Sequence, residues 1–249
     1  MRPFGISATF GRGMPETKQL WPCTPAHSSR LPQGVQVWAA WLDATPEART
    51  GFWATLSTQE QERAARFASE RERTRFVAAR GLLRTILSSA LGVTPQSVEF
   101  VYSAKGKPAL GGAFARCGFE FNLAHSAGLA VFALAQGHAV GVDVEQVRPV
   151  NELANLVERF FSSSECAEVN RLRGEEQLRT FFRIWTRKEA WLKATGEGLA
   201  GLALGLQVPG PSAEGETSDR LPAALPAPHL HLHNLAPTQG FVGALAVAG

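Results

Sequence analysis

The stretch GFEFNLAHSAGLAVFALAQGHAVGVDVEQV, residues 118–147, decides how the chain is organised. Apolar, β-branched and aromatic residues dominate it, and turn-forming residues interrupt it at 126–128 and at 136–138. Apolar runs bounded in this way are typical of consecutive β-strands. We therefore predict a series of strands in the middle of the chain, ending with AVGVDVEQV (139–147).

Helical patterns flank these strands on both sides. Upstream, residues 56–92 have a helical period: Ser57 is placed to cap the first turn, Glu60 follows as in a capping box, and Gly92 ends the pattern. Turn residues and periodicity also define the other elements. These are strands at 35–42, 97–110, 229–235 and 241–247, helices at 150–172 and 175–199, and a proline-rich loop at 209–228.

The order of strand, helices and strands occurs twice along the chain. RTRFVAARGLLR (73–84) resembles RTFFRIWTRKEAWLK (179–193), and LAVFALA (129–135) resembles FVGALAV (241–247). We therefore predict an α+β fold, a pseudo-dimer of two similar subdomains in one chain with a cleft between them. The predicted divisions are an irregular leader at 1–34 and two halves at 35–139 and 140–249.

Composition excludes several classes of protein. The chain has 249 residues, a net charge of +3, and only three cysteines, Cys23, Cys117 and Cys166, without CxxC spacing. This pattern indicates reduced thiols rather than a disulfide framework or a zinc site. Since no uninterrupted run of ~18 apolar residues occurs, we expect a soluble, cytoplasmic protein. The weak positive charge suits an acidic partner but does not argue for nucleic acid.

Glu189 has an unusual position in the predicted helix 175–199. At 100° per residue it falls in the middle of an apolar face, and Lys193 lies at the edge of that face. An exposed Glu189–Lys193 pair would be worth only ~0.2–0.5 kcal/mol, whereas a buried carboxylate needs a cation, a metal ion or a proton. The face consists of Leu178, Phe181, Phe182, Trp185 and Leu192.

Two more carboxylates lie on the strand that ends the central stretch. Alternation directs Val140, Val142 and Val144 to one face, and Gly141, Asp143 and Glu145 to the other. Taken alone, the second face could simply be exposed to water. Together with Glu189, however, it offers three oxygen ligands that suit Mg²⁺ or Mn²⁺ better than zinc. Magnesium held by few carboxylates usually also binds substrate phosphates, which Lys193 could neutralise.

Several other basic residues could contact such a phosphate. His125 follows a predicted strand, Lys107 lies in AKGKPAL (104–110), and Arg80 lies in the arginine-rich helix. Arg75 and Arg84 compete with Arg80, and this helix could equally present a solvated basic face. The histidines of HLHLH are interpreted as an exposed strand face rather than a metal site; they are His229, His231 and His233.

The motifs together resemble a known family. GVDVE (141–145) is followed by WTRKEAWLK (185–193), with Trp185 lying 40 residues after Glu145. This pair resembles the double signature of the Sfp-type 4′-phosphopantetheinyl transferases. Each half is short, but the pair at this spacing is specific, and the similarity extends over about 56–202. Further motifs stand in the family's order: GKP (106–108), FNLAHS (121–126) and RFFSSSE (159–165).

The resemblance implies a fold, a substrate and roles for the candidate residues. The family fold is a pseudo-dimer of two α+β halves that bind coenzyme A between them. Carried over, Asp143, Glu145 and Glu189 would hold Mg²⁺ against the coenzyme A diphosphate. Lys193 and His125 would contact phosphate oxygens, while Lys107 and Arg80 would lie near the 3′-phosphate and adenosine. Glu189, or a metal-bound water that it orients, would accept the proton of the carrier serine.

The implied reaction is transfer of the 4′-phosphopantetheine arm of coenzyme A to a serine of an apo acyl or peptidyl carrier protein, with release of 3′,5′-ADP. The fused halves resemble the broad-range type that serves polyketide and nonribosomal peptide synthases, and imply a monomer. Two alternatives stay open, a Mg²⁺-dependent phosphohydrolase and a non-catalytic module that binds coenzyme A or a carrier. Ala124, where many members have serine, and Glu60, where some have lysine, put the 3′-phosphate contacts in question.

Overall fold

The computed structural model describes residues 20–22, 31–104, 106–196 and 230–249. Most of the predicted leader, the proline-rich loop 209–228, and His229 lie outside these ranges. Within the leader, β1 (Leu20–Pro22) is a strand that pairs with the next one, so the prediction of an irregular segment is wrong there. No helix in the described part of the chain is long and apolar enough to cross a membrane.

Along the N-terminal half, a sheet strand comes first, three helices and a small hairpin follow, and two further sheet strands end the half. Its helical region differs from the prediction, because α1 was missed and the helical stretch 56–92 is divided between α2 and α3. Ser69 caps the N-terminus of α3, so a new helix begins there. The elements are β2 (Val35–Trp41), α1 (Pro46–Thr55), α2 (Thr58–Ala65), α3 (Glu70–Leu91), β3 (Phe100–Tyr102), β4 (Pro108–Leu110), β5 (Phe119–Ser126) and β6 (Leu129–Gln136).

The C-terminal half repeats this order. The predicted helix 150–172 is likewise two helices, since Ser162 opens a new one with a capping box. The elements are β7 (Val140–Gln146), α4 (Leu153–Phe160), α5 (Ser163–Asn170), α6 (Gly174–Thr195), β8 (Leu230–Leu235) and β9 (Phe241–Ala248).

The two halves share one topology. In each, the first strand pairs with the last, which pairs in turn with the strand before it, giving β2-β6-β5 and β7-β9-β8. The long helices α3 and α6 both have 22 residues. The similar sequences LAVFALA and FVGALAV form the central strands β6 and β9 of these sheets. The predicted α+β fold with two similar halves is therefore confirmed.

The two sheets pack against each other, and their apolar faces form the core between the halves. Val140, Val142 and Val144 of β7 lie in this core with alternate residues of β6 and β9. The opposite face of β7 is covered by α6. Asp143 is therefore buried and Glu145 is half-buried, so the alternative of a water-exposed carboxylate face is wrong for Asp143.

A buried ion pair stabilises the helices of the N-terminal half. Glu60 completes the capping box of Ser57 and also binds Arg84, whose Nη2 lies 2.7 Å from Glu60 Oε2. Arg84 Nη1 donates to the carbonyl oxygens of Pro95 and Val98, each at 2.8 Å. Arg84 thus holds the fold together, which explains the glutamate at position 60 in this chain.

The C-terminal half has the equivalent pair. Glu165 completes the capping box of Ser162, and its Oε2 lies 2.9 Å from Nζ of Lys188 on α6. The Lys188 side chain is 0% exposed, and its ammonium also lies over the ring of Phe161. Lys188, the neighbour of Glu189 in the WTRKE motif, is therefore tied to the start of α5.

Candidate active site

The candidate site lies where α6 crosses β7. A Cβ atom at Gly141 would collide with the carbonyl oxygen of Ala190 and the amide nitrogen of Ala194. Only glycine lets the helix backbone approach the strand this closely. The close approach brings Glu189 and Lys193 of the helix beside Asp143 of the strand.

Asp143 is the most buried carboxylate of the site, with 6% of the residue exposed. Lys193 Nζ donates to Asp143 Oδ1 at 2.7 Å. Burial raises the pKa of Asp143 to about 7, and the charges of Glu145 and Glu189 act in the same direction, whereas Lys193 opposes the shift. Within the described residues Asp143 Oδ2 is buried and accepts no hydrogen bond. This oxygen needs a proton or a further cation.

Glu189 is half-buried, between the buried residues Lys188 and Ala190. Desolvation raises its pKa above the ordinary value, Lys193 counteracts this, and the charge of Glu145 adds to it. The helical wheel placed Glu189 on a single apolar face, but the C-terminal half of α6 is buried on most of its sides. Glu189 is nevertheless a partly desolvated carboxylate, as the wheel indicated.

The three carboxylates are candidate ligands for a divalent cation. As the side chains stand, no three His, Cys, Asp or Glu residues among those described converge tightly enough to hold an ion. The Lys193 ammonium instead supplies the positive charge at Asp143. The orphaned Oδ2 of Asp143 and the mutual repulsion of three hard oxygen donors nonetheless fit a cation such as Mg²⁺ or Mn²⁺.

His125 and Lys107 lie close to the same helix end. His125 is exposed, but partial desolvation, followed by the charges of Lys193 and Arg75, lowers its pKa below the usual 6.5. Lys107 Nζ donates to the carbonyl oxygen of Lys193 at 2.6 Å. Burial lowers the pKa of Lys107. Both predicted phosphate contacts therefore lie at the end of α6 that carries Lys193.

Arg80 lies beside a groove of about 650 Å³ whose lining includes Glu60 and Tyr102, and its Nε lies 3.9 Å from Glu60 Oε1. Its guanidinium lies over the rings of Phe76, Phe100 and Tyr102, and its buried Nη1 has no hydrogen-bond partner among the described residues. Of its two competitors, Arg84 binds Glu60, and Arg75 binds Asp43 at 2.7 Å. The groove is lined by Gln59, Glu60, Glu62, Arg63, Arg66, Phe67, Tyr102 and Gly106.

Two polar residues of β5 were missed from the sequence. Asn122 Oδ1 accepts the backbone N–H of Val142 at 2.9 Å, and Ser126 Oγ donates to Glu145 Oε2 at 2.6 Å. Alternation in FNLAHS puts both on one strand face with Ala124, and that pattern could have pointed to them. The exposed-face interpretation of the strand HLHLH is wrong for His233, which is buried.

Comparison with known proteins identifies the family. A family model described as "4′-phosphopantetheinyl transferase superfamily" matches residues 139–233. A second, described as "4′-phosphopantetheinyl transferase, N-terminal", matches residues 40–137. The two models meet between β6 and β7, where one half of the fold gives way to the other.

Individual relatives agree with the family models. The chain is 40% identical to the 4′-phosphopantetheinyl transferase HetI of Nostoc sp. over 233 residues, which is 93% of this chain and 95% of the relative. It is 34% identical to a phosphopantetheinyl transferase of Thraustochytrium sp. over 71% of this chain and 65% of the relative. It is 28% identical to a 4′-phosphopantetheinyl transferase of Bacillus subtilis over 59% of this chain and 63% of the relative. The chain therefore belongs to the 4′-phosphopantetheinyl transferase superfamily.

Proposed function

We propose that this enzyme transfers the 4′-phosphopantetheine arm of coenzyme A to a serine of an apo acyl or peptidyl carrier protein. The observation that carries the proposal is the meeting of Asp143, Glu189 and Lys193 where α6 crosses β7. Phosphoryl transfer depends on positioning and charge neutralisation, and this cluster offers both acidic and basic groups for it. The names of the relatives support the same reaction.

Asp143, Glu145 and Glu189 would hold the divalent cation, Mg²⁺ or Mn²⁺. When bound, the ion would neutralise charge on the diphosphate of coenzyme A. The buried Oδ2 of Asp143 supports its assignment as a ligand, because this oxygen has no hydrogen-bond partner among the described residues. Lys193 would then leave Asp143 and donate its hydrogen bond to a phosphate oxygen instead.

The remaining basic residues would bind coenzyme A along the surface between the cluster and the groove. His125 and Lys107 are proposed to contact phosphate oxygens near the end of α6. Arg80 is proposed to lie near the 3′-phosphate and adenosine, because its buried Nη1 has no hydrogen-bond partner among the described residues and its neighbour Tyr102 lines the groove. Arg63 and Arg66 line that groove and would add positive charge.

The carrier serine would be the nucleophile. Its hydroxyl oxygen attacks the phosphorus attached to pantetheine, and the bond from this phosphorus to the bridging oxygen of the diphosphate breaks. The leaving group, 3′,5′-ADP, takes the bridging oxygen, while Glu189 accepts the serine proton. Partial burial suits Glu189 to this role, since a raised pKa makes it a stronger base than an exposed glutamate.

The biological setting is also part of the proposal. We place the enzyme in the cytoplasm as a monomer with halves at 35–139 and 140–249, serving polyketide or nonribosomal peptide synthases. The free thiols of Cys117 and Cys166 accord with a reducing compartment. Fusion of two similar halves supports a monomer, because a single chain supplies both sheets of the central core.

The test is incubation of the protein with coenzyme A, Mg²⁺ and apo carrier proteins, followed by mass spectrometry of the carrier. The proposal expects a phosphopantetheine adduct on the serine and an equal amount of 3′,5′-ADP. Release of inorganic phosphate without an adduct would instead indicate a phosphohydrolase. Binding of coenzyme A with neither product on any carrier class would indicate a binding module.

A further inference from the structure

The hydroxyl of Ser126 makes two hydrogen bonds to the strand that carries the acidic motif. Ser126 Oγ lies 2.6 Å from Glu145 Oε2, and the backbone N–H of Gln146 donates to the same Oγ at 3.3 Å. An amide N–H can only donate, so it occupies an acceptor position of the hydroxyl. The single hydroxyl proton is therefore available for the carboxylate, and Ser126 donates to Glu145.

The turn that follows Ser126 is held in place by its surroundings. Ala127 and Gly128 join β5 to β6 with φ angles of 48° and 92°. Two successive residues of positive φ form the tight hairpin turn that suits antiparallel strands. The Gly128 carbonyl oxygen accepts the N–H of Leu42 at 2.8 Å, and the Arg75 guanidinium packs where a Gly128 side chain would lie. Ser126 therefore projects from a fixed support.

Ser126 also belongs to a link between the two halves of the fold. Strands β5 and β7 lie in different sheets. Asn122 Oδ1 accepts the N–H of Val142, and four residues further along both strands Ser126 Oγ accepts the N–H of Gln146. The side chains of Asn122 and Ser126 thus fix the position of β7 along β5. Glu145 directly precedes Gln146, whose N–H is held by Ser126.

We propose that Ser126 is a positioning residue that orients Glu145 for binding of the divalent cation. The inference rests on the proposed function, which makes Glu145 a ligand. Hydrogen bonds to ligating carboxylates fix their orientation, and their loss typically lowers metal affinity by ~10- to 100-fold. Ser126 does so from the N-terminal half, so the ligand set depends on how the two halves are joined.

The test compares Ser126→Thr with Ser126→Val, which have nearly the same shape but differ in the hydroxyl. Binding of Mn²⁺ in the presence of coenzyme A, without a carrier, is followed through the electron paramagnetic resonance signal of free Mn²⁺. Ser126→Val is expected to weaken Mn²⁺ binding by ~10- to 100-fold, while Ser126→Thr stays within about threefold of the wild type. Ser88→Ala is the control, since it removes a buried serine hydroxyl that donates to the Thr85 carbonyl oxygen of the same helix.

Equal Mn²⁺ affinity of the valine variant and the wild type would overturn the inference, even if thermal stability falls. In that case an adduct formed by the wild type would leave the proposed function standing. Failure of the wild type to bind Mn²⁺ would overturn the inference together with the metal centre, and failure to form the adduct would overturn the proposed function. If Ser126→Val does not fold, Ser126→Ala provides the same comparison with a smaller side chain.

Discussion

Lys193 Nζ lies 2.7 Å from Asp143 Oδ1, so the last lysine of WTRKEAWLK (185–193) pairs with the aspartate of GVDVE (141–145) where α6 crosses β7. The two residues are 50 positions apart and belong to the two motifs of the family signature. Because Lys193 is partly exposed and Asp143 is buried, the lysine can leave the pair more readily than the aspartate can.

Lys193→Met should lower the transfer rate constant by about 100- to 1000-fold, because a charge-stabilising group of the transition state is lost. Lys193→Arg should retain more activity than Lys193→Met. Single-turnover kinetics with saturating coenzyme A measures the effect. A methionine variant with an unchanged rate constant would show that Lys193 only neutralises Asp143.

The raised pKa of Asp143 predicts a pH dependence of stability in the metal-free protein. Since its pKa is about 7 in the folded state and 3.8 in the reference state, the folded protein binds this proton more tightly. Its contribution to stability is therefore present below pH ~4 and is lost as the pH rises to ~7. Asp143→Asn, which keeps an oxygen for Lys193, should lose less stability over this interval.

The difference between the wild type and Asp143→Asn has an upper limit of about 4 kcal/mol, at ~1.4 kcal/mol per pKa unit. Urea denaturation in EDTA at several pH values between 4 and 8 measures it. Parallel pH profiles of the two proteins would show that Asp143 is already ionised in the folded state near pH 4.

Lys188→Met should destabilise the fold by about 3–5 kcal/mol, because it leaves Glu165 buried without its ammonium partner. Arg183→Met is the matched control, since Arg183 also joins α6 to α5, through Glu168 at 3.3 Å, but both side chains of this pair are partly exposed. The control should cost at most about 1 kcal/mol. Similar free energies of unfolding for the two variants would contradict the structural role of Lys188.

Ala127→Asn should stabilise the protein by about 0.5–1 kcal/mol, because asparagine adopts positive φ with less strain than alanine. Ala127 is exposed and has a φ of 48°, so the new side chain meets solvent. Gly128→Ala should have the opposite effect, as its φ is 92° and the added Cβ would collide with Arg75. Thermal melting of both variants measures the effect, and destabilisation by Ala127→Asn would contradict this account of the turn.

Local features of the fold could be predicted from the sequence, whereas contacts between distant elements could not. The capping box of Ser57 and Glu60 and the left-handed end of a helix at Gly92 depend on neighbouring residues, and the structure confirms both. The breaks within the helical stretches were missed, because Ser69 and Ser162 cap new helices inside continuous polar–apolar patterns. Only the folded chain shows Glu60 bound to Arg84.

In the candidate site, too, local patterns could be predicted from the sequence and contacts between distant elements could not. Alternation along β7 and the helical period of α6 placed Asp143 and Glu189 on faces that meet. The links from β5 were missed, because the pairing of Asn122 with Val142 and of Ser126 with Glu145 depends on how two separate sheets dock. The sequence also left Arg75 and Arg84 as competitors of Arg80. In the structure Arg75 binds Asp43 and Arg84 donates to two carbonyl oxygens, whereas Nη1 of Arg80 has no hydrogen-bond partner among the described residues.

The most direct measurement is the rate of phosphopantetheine transfer by Glu189→Gln, followed by mass spectrometry of an apo carrier protein in the presence of coenzyme A and Mg²⁺. Glu176→Gln is the control, because Glu176 lies exposed in the first turn of the same helix. We expect no detectable adduct with Glu189→Gln, a melting temperature near that of the wild type, and normal transfer by the control. Transfer by Glu189→Gln at a rate close to that of the wild type would contradict the assignment of Glu189 as metal ligand and base.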